Sequence, residues 1–266
     1  MAMSPDQPMR RVAHGRCSRL FVVVPLLVVL GGAANLRYFH IPIRSSGLRL
    51  AEGGQTGITH IVQAATSTAR QGAYYLPNGY ESRPLPLMVS FHGTGGKGSL
   101  MILRLQALAE REGFMVLAPD SVSVAGVWSV GQRPEDTTED YRHVMDCVRE
   151  VLQVPGVRID AARVLAAGFS VGGNVAPYIA TRESLFTAFA VLHGHLMPGA
   201  LGRLRPPVWL STGDRDRVRT VEYMRSVAGH LTADGFPSVE LRVFKVDHSL
   251  GDDELAALVA WWLGRH

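Results

Sequence analysis

The residues best placed to do chemistry are Gly168-Phe169-Ser170-Val171-Gly172, followed directly by Gly173. A serine flanked by glycines in this spacing fits a sharp turn between a strand and a helix. The flanking glycines let the two elements approach without side-chain collision, and the helix start brings N–H groups and its positive dipole end close to the serine. The chemistry would be nucleophilic attack by the Ser170 hydroxyl. The plainer reading is a glycine-rich turn in which Ser170 only caps the helix.

A serine hydroxyl needs a base and the base needs an orienting acid. Both are available downstream. Pro207 to Leu210 reads as a strand and runs into Ser211-Thr212-Gly213-Asp214-Arg215-Asp216-Arg217-Val218. The turn points to Asp216 as the acid, with Asp214 as its competitor. The other carboxylate of the two would pair with its arginine neighbours at the surface. His248, in Val246-Asp247-His248-Ser249, follows 32 residues after Asp216 and is the candidate base. Asp247 points the other way in an extended segment and reads as structural.

Charge that develops on an attacked carbonyl oxygen needs two donors. One is the backbone N–H of Val171. The other belongs to the loop Phe91-His92-Gly93-Thr94-Gly95-Gly96, with Thr94 proposed and Gly95 as the near alternative. His92 and Trp128 are the candidate substrate-side residues. His92 lies upstream of the oxyanion position and reads as fixing the loop. Trp128 either lines the cleft or packs in the core. His193-Gly194-His195 looks like a metal-ligand pair, but no Cys, Asp or Glu stands at ligand spacing beside it. Neither a metal nor a cofactor is expected.

These residues need elements to hold them. Short apolar runs alternate with helical patterns along the chain. Strands are expected at Ile58–Ala64, Gly72–Leu76, Leu85–Phe91, Phe114–Ala118, Val164–Ala167, Ala188–Leu192, Val208–Leu210 and Glu240–Val246. Helices are expected at Ser99–Glu112, Thr138–Gln153, Val171–Ala180, Val221–Leu231 and Asp252–Leu263. Fully apolar strands alternating with helices predict an α/β fold, a mostly parallel central sheet with helices on both faces. Reactive groups then belong at the carboxyl ends of the strands.

The chain has 266 residues, 47% of them hydrophobic and 19% charged, which suits one sizeable core and excludes a disordered chain. The net charge of +4 comes almost entirely from Arg10, Arg11, Arg16 and Arg19, opposed within residues 1–34 by Asp6 alone. The remainder is nearly balanced, so no nucleic-acid partner is implied. Those arginines precede Leu20–Ala34, an uncharged apolar run shorter than the ~20 residues a spanning helix needs. Residues 1–34 therefore read as an export signal or an N-terminal membrane anchor, with the tether in residues 20–34. Residues 35–57 read as a linker and 58–266 as the catalytic domain. The two cysteines are Cys17 in the leader and Cys147 in a helical stretch. Cys147 reads as a small core residue, with no internal disulfide partner.

Taken together, Ala73–Gly96 (AYYLPNGYESRPLPLMVSFHGTGG), Ala118–Ser121 (APDS) and Thr137–Asn174 resemble the polyhydroxybutyrate-depolymerase and feruloyl-esterase branch of the α/β-hydrolases. WLSTGDRDRV (Trp209–Val218) and VDHSL (Val246–Leu250) are similar to the acid and histidine segments of that branch. The resemblance spans roughly residues 58–264. It implies an α/β-hydrolase fold, a serine esterase activity, and Ser170, Asp216 and His248 as catalytic residues. The lack of disulfides and of a polymer-binding domain favours a small or soluble ester over an insoluble polymer. A peptidase, an acyltransferase or a non-catalytic tethered binding protein are the alternatives on the same scaffold.

Overall fold

In a computed structural model the protein is described over residues 55–61, 70–123 and 125–264. Eight strands form one sheet in the order β1-β2-β4-β3-β5-β6-β7-β8. They are β1 (Gln55–Ile61), β2 (Arg70–Leu76), β3 (Leu85–Phe91), β4 (Met115–Pro119), β5 (Ile159–Phe169), β6 (Ala188–Leu192), β7 (Val208–Gly213) and β8 (Val239–Phe244). The pairs β1–β2 and β2–β4 are antiparallel, and every other pair is parallel.

Among the described residues five α-helices cover the sheet: α1 (Gly98–Glu112), α2 (Glu139–Val151), α3 (Gly172–Ala180), α4 (Val221–Ala233) and α5 (Asp252–Leu263). Side chains alternate across the strands, so each strand feeds two cores. Leu87, Val89, Val164 and Ala166 join Val144, Cys147, Val175 and Met224 from α2, α3 and α4 on one face. Met88, Leu165, Ala167 and Trp209 join Leu105, Leu258 and Trp262 from α1 and α5 on the other. Burial on both faces is why the central strands read as continuous apolar runs. Cys147 is buried and unoxidised in the first of these cores, as its helical setting suggested.

The expected strands and helices form, with shifted ends. β5 runs from Ile159, well before the expected Val164, because its early residues pair with β3, as Leu85 with Ile159 shows. β1 takes in Gln55, Thr56 and Gly57, which had read as linker, and the rest of the expected linker (35–54) lies outside the described residues. Pairing with Leu76, Tyr75 and Tyr74 of β2 supplies the order that the polar sequence does not advertise. Val62–Ala64, expected to end this strand, also lies outside the described residues, as do residues 1–34 with their expected signal or anchor. Among the described residues no helix is long and apolar enough to cross a membrane.

Candidate active site

Strand register assembles the site. Phe91 at the end of β3 sits beside Gly168 of β5, Phe169 of β5 beside Leu192 of β6, and Leu192 beside Ser211 of β7. The loops that leave these strands therefore emerge side by side at the carboxyl edge of the sheet. They carry Thr94, Ser170, His193 and Asp216, while His248 arrives from the loop after β8.

The turn between β5 and α3 is as tight as its glycines suggested. A Cβ on Gly168 would lie 1.9 Å from the carbonyl oxygen of Gly172, and one on Gly172 would lie 2.4 Å from that of Phe91. Only hydrogen fits at either position. Ser170 itself sits at φ 53°, a left-handed conformation that is strained for a residue with a side chain. Its N–H bonds to the Leu192 carbonyl at 2.9 Å, and its own carbonyl accepts from Gly173 N–H at 3.0 Å. The neighbouring elements hold the strain in place.

Ser170 Oγ lies 3.0 Å from His248 Nε2, and His248 Nδ1 lies 2.8 Å from Asp216 Oδ2. The three expected residues are thus joined in a hydrogen-bonded line. Asp214 is excluded from it: the side chain is about half exposed and faces Arg215 at 3.7 Å. Asp216 is buried. Its Oδ1 accepts the backbone N–H groups of Val218 at 2.7 Å and Arg219 at 2.8 Å. Burial raises the affinity of Asp216 for a proton, but hydrogen bonds from His193, His248 and Arg219 overcome it and hold the carboxyl well below its ordinary range. The His248 loop is strapped to the Asp216 loop by backbone bonds Asp214 N–H to Phe244 at 2.8 Å and Arg215 N–H to Val246 at 3.1 Å. Asp247 is exposed and accepts the Ser249 hydroxyl at 2.7 Å, in keeping with a structural part.

The loop after β3 carries the second expected donor. Gly95 N–H is committed to the Gly126 carbonyl at 3.1 Å and Gly96 N–H to that of Gly93 at 3.0 Å. Among the described residues, the N–H groups of Thr94 and Val171 have no such acceptor. That favours Thr94 over Gly95.

His92 and Trp128, the substrate-side candidates, hold this loop, in keeping with the loop-fixing reading of His92 and the packing alternative for Trp128. Trp128 is only 6% exposed. Its indole N–H donates to the His92 carbonyl at 2.8 Å, and its ring packs edge-on to Phe91 at 5.5 Å. His92 Nδ1 meets the Gly93 carbonyl at 2.8 Å and Nε2 accepts from Ser121 N–H at 3.0 Å. Burial lowers the proton affinity of this imidazole, which suits the neutral ring its two bonds require. Neither side chain has a polar atom left for a substrate. A cleft of about 800 Å³ lies beside His248 and Asp216, and Ser170 does not line it.

One residue of the cluster escaped the sequence reading. His193 is fully buried, at φ 49°, with Nδ1 2.7 Å from Asp216 Oδ2 and Nε2 3.2 Å from Glu254 Oε2. In the sequence it reads only as half of a metal-ligand pair with no Cys, Asp or Glu at ligand spacing. Its carboxylates stand 23 and 61 residues away, so local spacing held no signal for them.

The sheet order, the turn after β5 and the helix layers define the α/β-hydrolase fold, and solved structures share it. Fluorophosphonate-binding serine hydrolase F of Staphylococcus aureus superposes with a TM-score of 0.62 at 12% identity, over 79% of this chain and 99% of that one. An S-formylglutathione hydrolase from Agrobacterium tumefaciens superposes at 0.61 with 16% identity, over 82% and 97% of the two chains. A ferulic acid esterase superposes at 0.60 with 15% identity, over 79% and 96%. No family model matches the chain. By sequence, it is 31% identical over 176 residues to NocK of Nocardia uniformis subsp. tsuyamanensis, an esterase by name. The match covers 63% of this chain, and the chain spans about half the length of that relative, 49%.

Proposed function

We propose that the protein is a serine esterase that cleaves small or soluble carboxylic esters through an acyl-Ser170 intermediate. The observation that carries this reading is the line Ser170 Oγ–His248 Nε2–His248 Nδ1–Asp216 Oδ2, with contacts of 3.0 and 2.8 Å. His248 takes the Ser170 proton as Oγ attacks the ester carbonyl carbon. The backbone N–H groups of Val171 and Thr94 receive the negative charge on the carbonyl oxygen. His248 then returns the proton to the departing alkoxide. Water, activated by the same imidazole, attacks the acyl-serine and releases the acid. No step requires a metal or a cofactor. The esterase name of the partial relative supports the substrate class.

The same reading includes export. The four arginines followed by Leu20–Ala34 support delivery across a membrane, by a cleaved signal or a retained anchor. N-terminal sequencing of the protein from an exporting host separates the two.

The direct test is hydrolysis of p-nitrophenyl acetate and butyrate by the full chain beside Ser170→Ala. The parent should turn over both esters and be labelled on serine by a fluorophosphonate, and the variant should do neither. A parent with no turnover and no label would end the proposal. A panel of amide and alternative acceptor substrates separates hydrolysis of esters from peptidase and acyltransferase activity.

A further inference from the structure

The acid of the site does not serve one histidine but two. Asp216 Oδ2 lies 2.8 Å from His248 Nδ1 and 2.7 Å from His193 Nδ1, and the two rings stand perpendicular with centroids 5.7 Å apart. Behind His193, Glu254 of α5 closes a second contact at 3.2 Å. Glu254 is fully buried; its Oε1 accepts the Ser211 hydroxyl at 2.5 Å and its Oε2 accepts Gly251 N–H at 3.4 Å. Both Glu254 oxygens thus face donors. Asp216 is likewise surrounded by N–H groups. An imidazole between two such acceptors can satisfy both only by carrying a proton on each nitrogen. Among the described residues no further carboxylate is hydrogen-bonded to His193; β5 offers the Phe169 ring at 5.8 Å, and β7 the Ser211 carbonyl, which accepts His193 N–H.

We propose that His193 is a positioning residue of the acyl-transfer site, an imidazolium held between Asp216 and Glu254 that shares the orienting oxygen with His248 and opposes protonation of that base. This rests on the esterase reading of Ser170 and His248. The geometry explains the effect. A positive ring beside Asp216 draws electron density from the oxygen that would otherwise stabilise a protonated His248. Its charge also repels a second imidazolium whose centroid lies 5.7 Å away, and both rings are buried. Glu254 bonds Nε2 of His193 and anchors the charge. Burial works against charging His193, but its bonds to Asp216 and Glu254 outweigh that and push its pKa up to about 9. The His193 backbone takes a strained φ of 49°, with its N–H bonded to the Ser211 carbonyl at 2.8 Å, and strain retained at a buried residue indicates that the position is specified.

The test is the rate of fluorophosphonate labelling of Ser170 against pH, for the full chain and for His193→Asn/Glu254→Gln. The double variant removes both charges and keeps an amide donor toward Asp216. Its acidic limb should move up by about one pH unit, with labelling at pH 6, taken relative to its own alkaline plateau, slowed by roughly 5- to 10-fold. A limb that stays put, whatever happens to thermal stability, overturns the role of His193. A parent that is not labelled at all sinks the esterase reading and this role with it. If the variant does not fold, ¹⁵N spectra of the histidine rings in the parent decide instead. The ring of residue 193 should carry two protons at pH 8, and a single-proton ring there overturns the proposal.

Discussion

At the residue scale, the two aspartates of the Thr212–Val218 turn differ in what burial demands of them. Asp214 faces water and one arginine, and its charge costs nothing to keep. Asp216 is enclosed, and an enclosed carboxylate must be saturated with donors. It is, by two backbone and two imidazole N–H groups. Asp216→Asn should therefore lower kcat for p-nitrophenyl butyrate by about 10³- to 10⁴-fold, and Asp214→Asn should leave it within about 2-fold. Equal losses in the two variants would contradict the assignment. The Gly-x-x-Asp spacing pointed to Asp216 without excluding Asp214, because turn residues two apart differ in direction, and direction is a tertiary property.

At the scale of elements, the turn between β5 and α3 and the loop after β3 act as one unit. The start of α3 rests on the carbonyls of Phe91 and His92, and Trp128 ties the His92 carbonyl from the other side. Gly172→Ala would place a methyl group 2.4 Å from the Phe91 carbonyl oxygen and 2.6 Å from that of His92. We expect a loss of about 1–3 kcal/mol in urea denaturation and at least 10-fold slower fluorophosphonate labelling, because the backbone must move. Trp128→Phe keeps the ring packing and removes the indole donor, leaving a buried carbonyl unpaired. It should cost roughly 1–2 kcal/mol, read as a lower Tm. A Trp128→Phe protein with unchanged Tm but raised KM would restore the substrate-side reading of Trp128.

For the whole molecule, the buried charges make stability depend on pH from both sides. Asp216 binds its proton more weakly folded than unfolded, so it stabilises the fold above the ordinary carboxylate range and loses that contribution as pH falls. His193 binds its proton more tightly folded than unfolded. Its contribution is complete below pH 6.5 and disappears as pH rises toward about 9. A calorimetric series from pH 6 to pH 9 should show stability falling by on the order of 2–3 kcal/mol, a few degrees in Tm. In His193→Asn/Glu254→Gln that alkaline slope should vanish. A parent whose Tm is flat between pH 6 and pH 9 would mean that His193 is neutral in the folded state.

Apolar runs alternating with helical spacing determined the layered sheet, since strands buried on both faces must be apolar throughout. The glycines around Ser170 determined the sharp turn, since no side chain fits there. The order Ser170, Asp216, His248 also stood in the chain, each residue in the loop past a strand. What the chain could not state was lateral. Leu192 of β6 lies beside Phe169 and Ser211, and that register sets His193 against Asp216. Glu254, on the third residue of α5, reaches the same ring from below the sheet edge. Hydrophobic periodicity reports which face a residue takes within its own element. It carries no information on which neighbour, tens of residues away, shares that face. The strands' pairing decided it, and with it whether the acid of this site serves one imidazole or two.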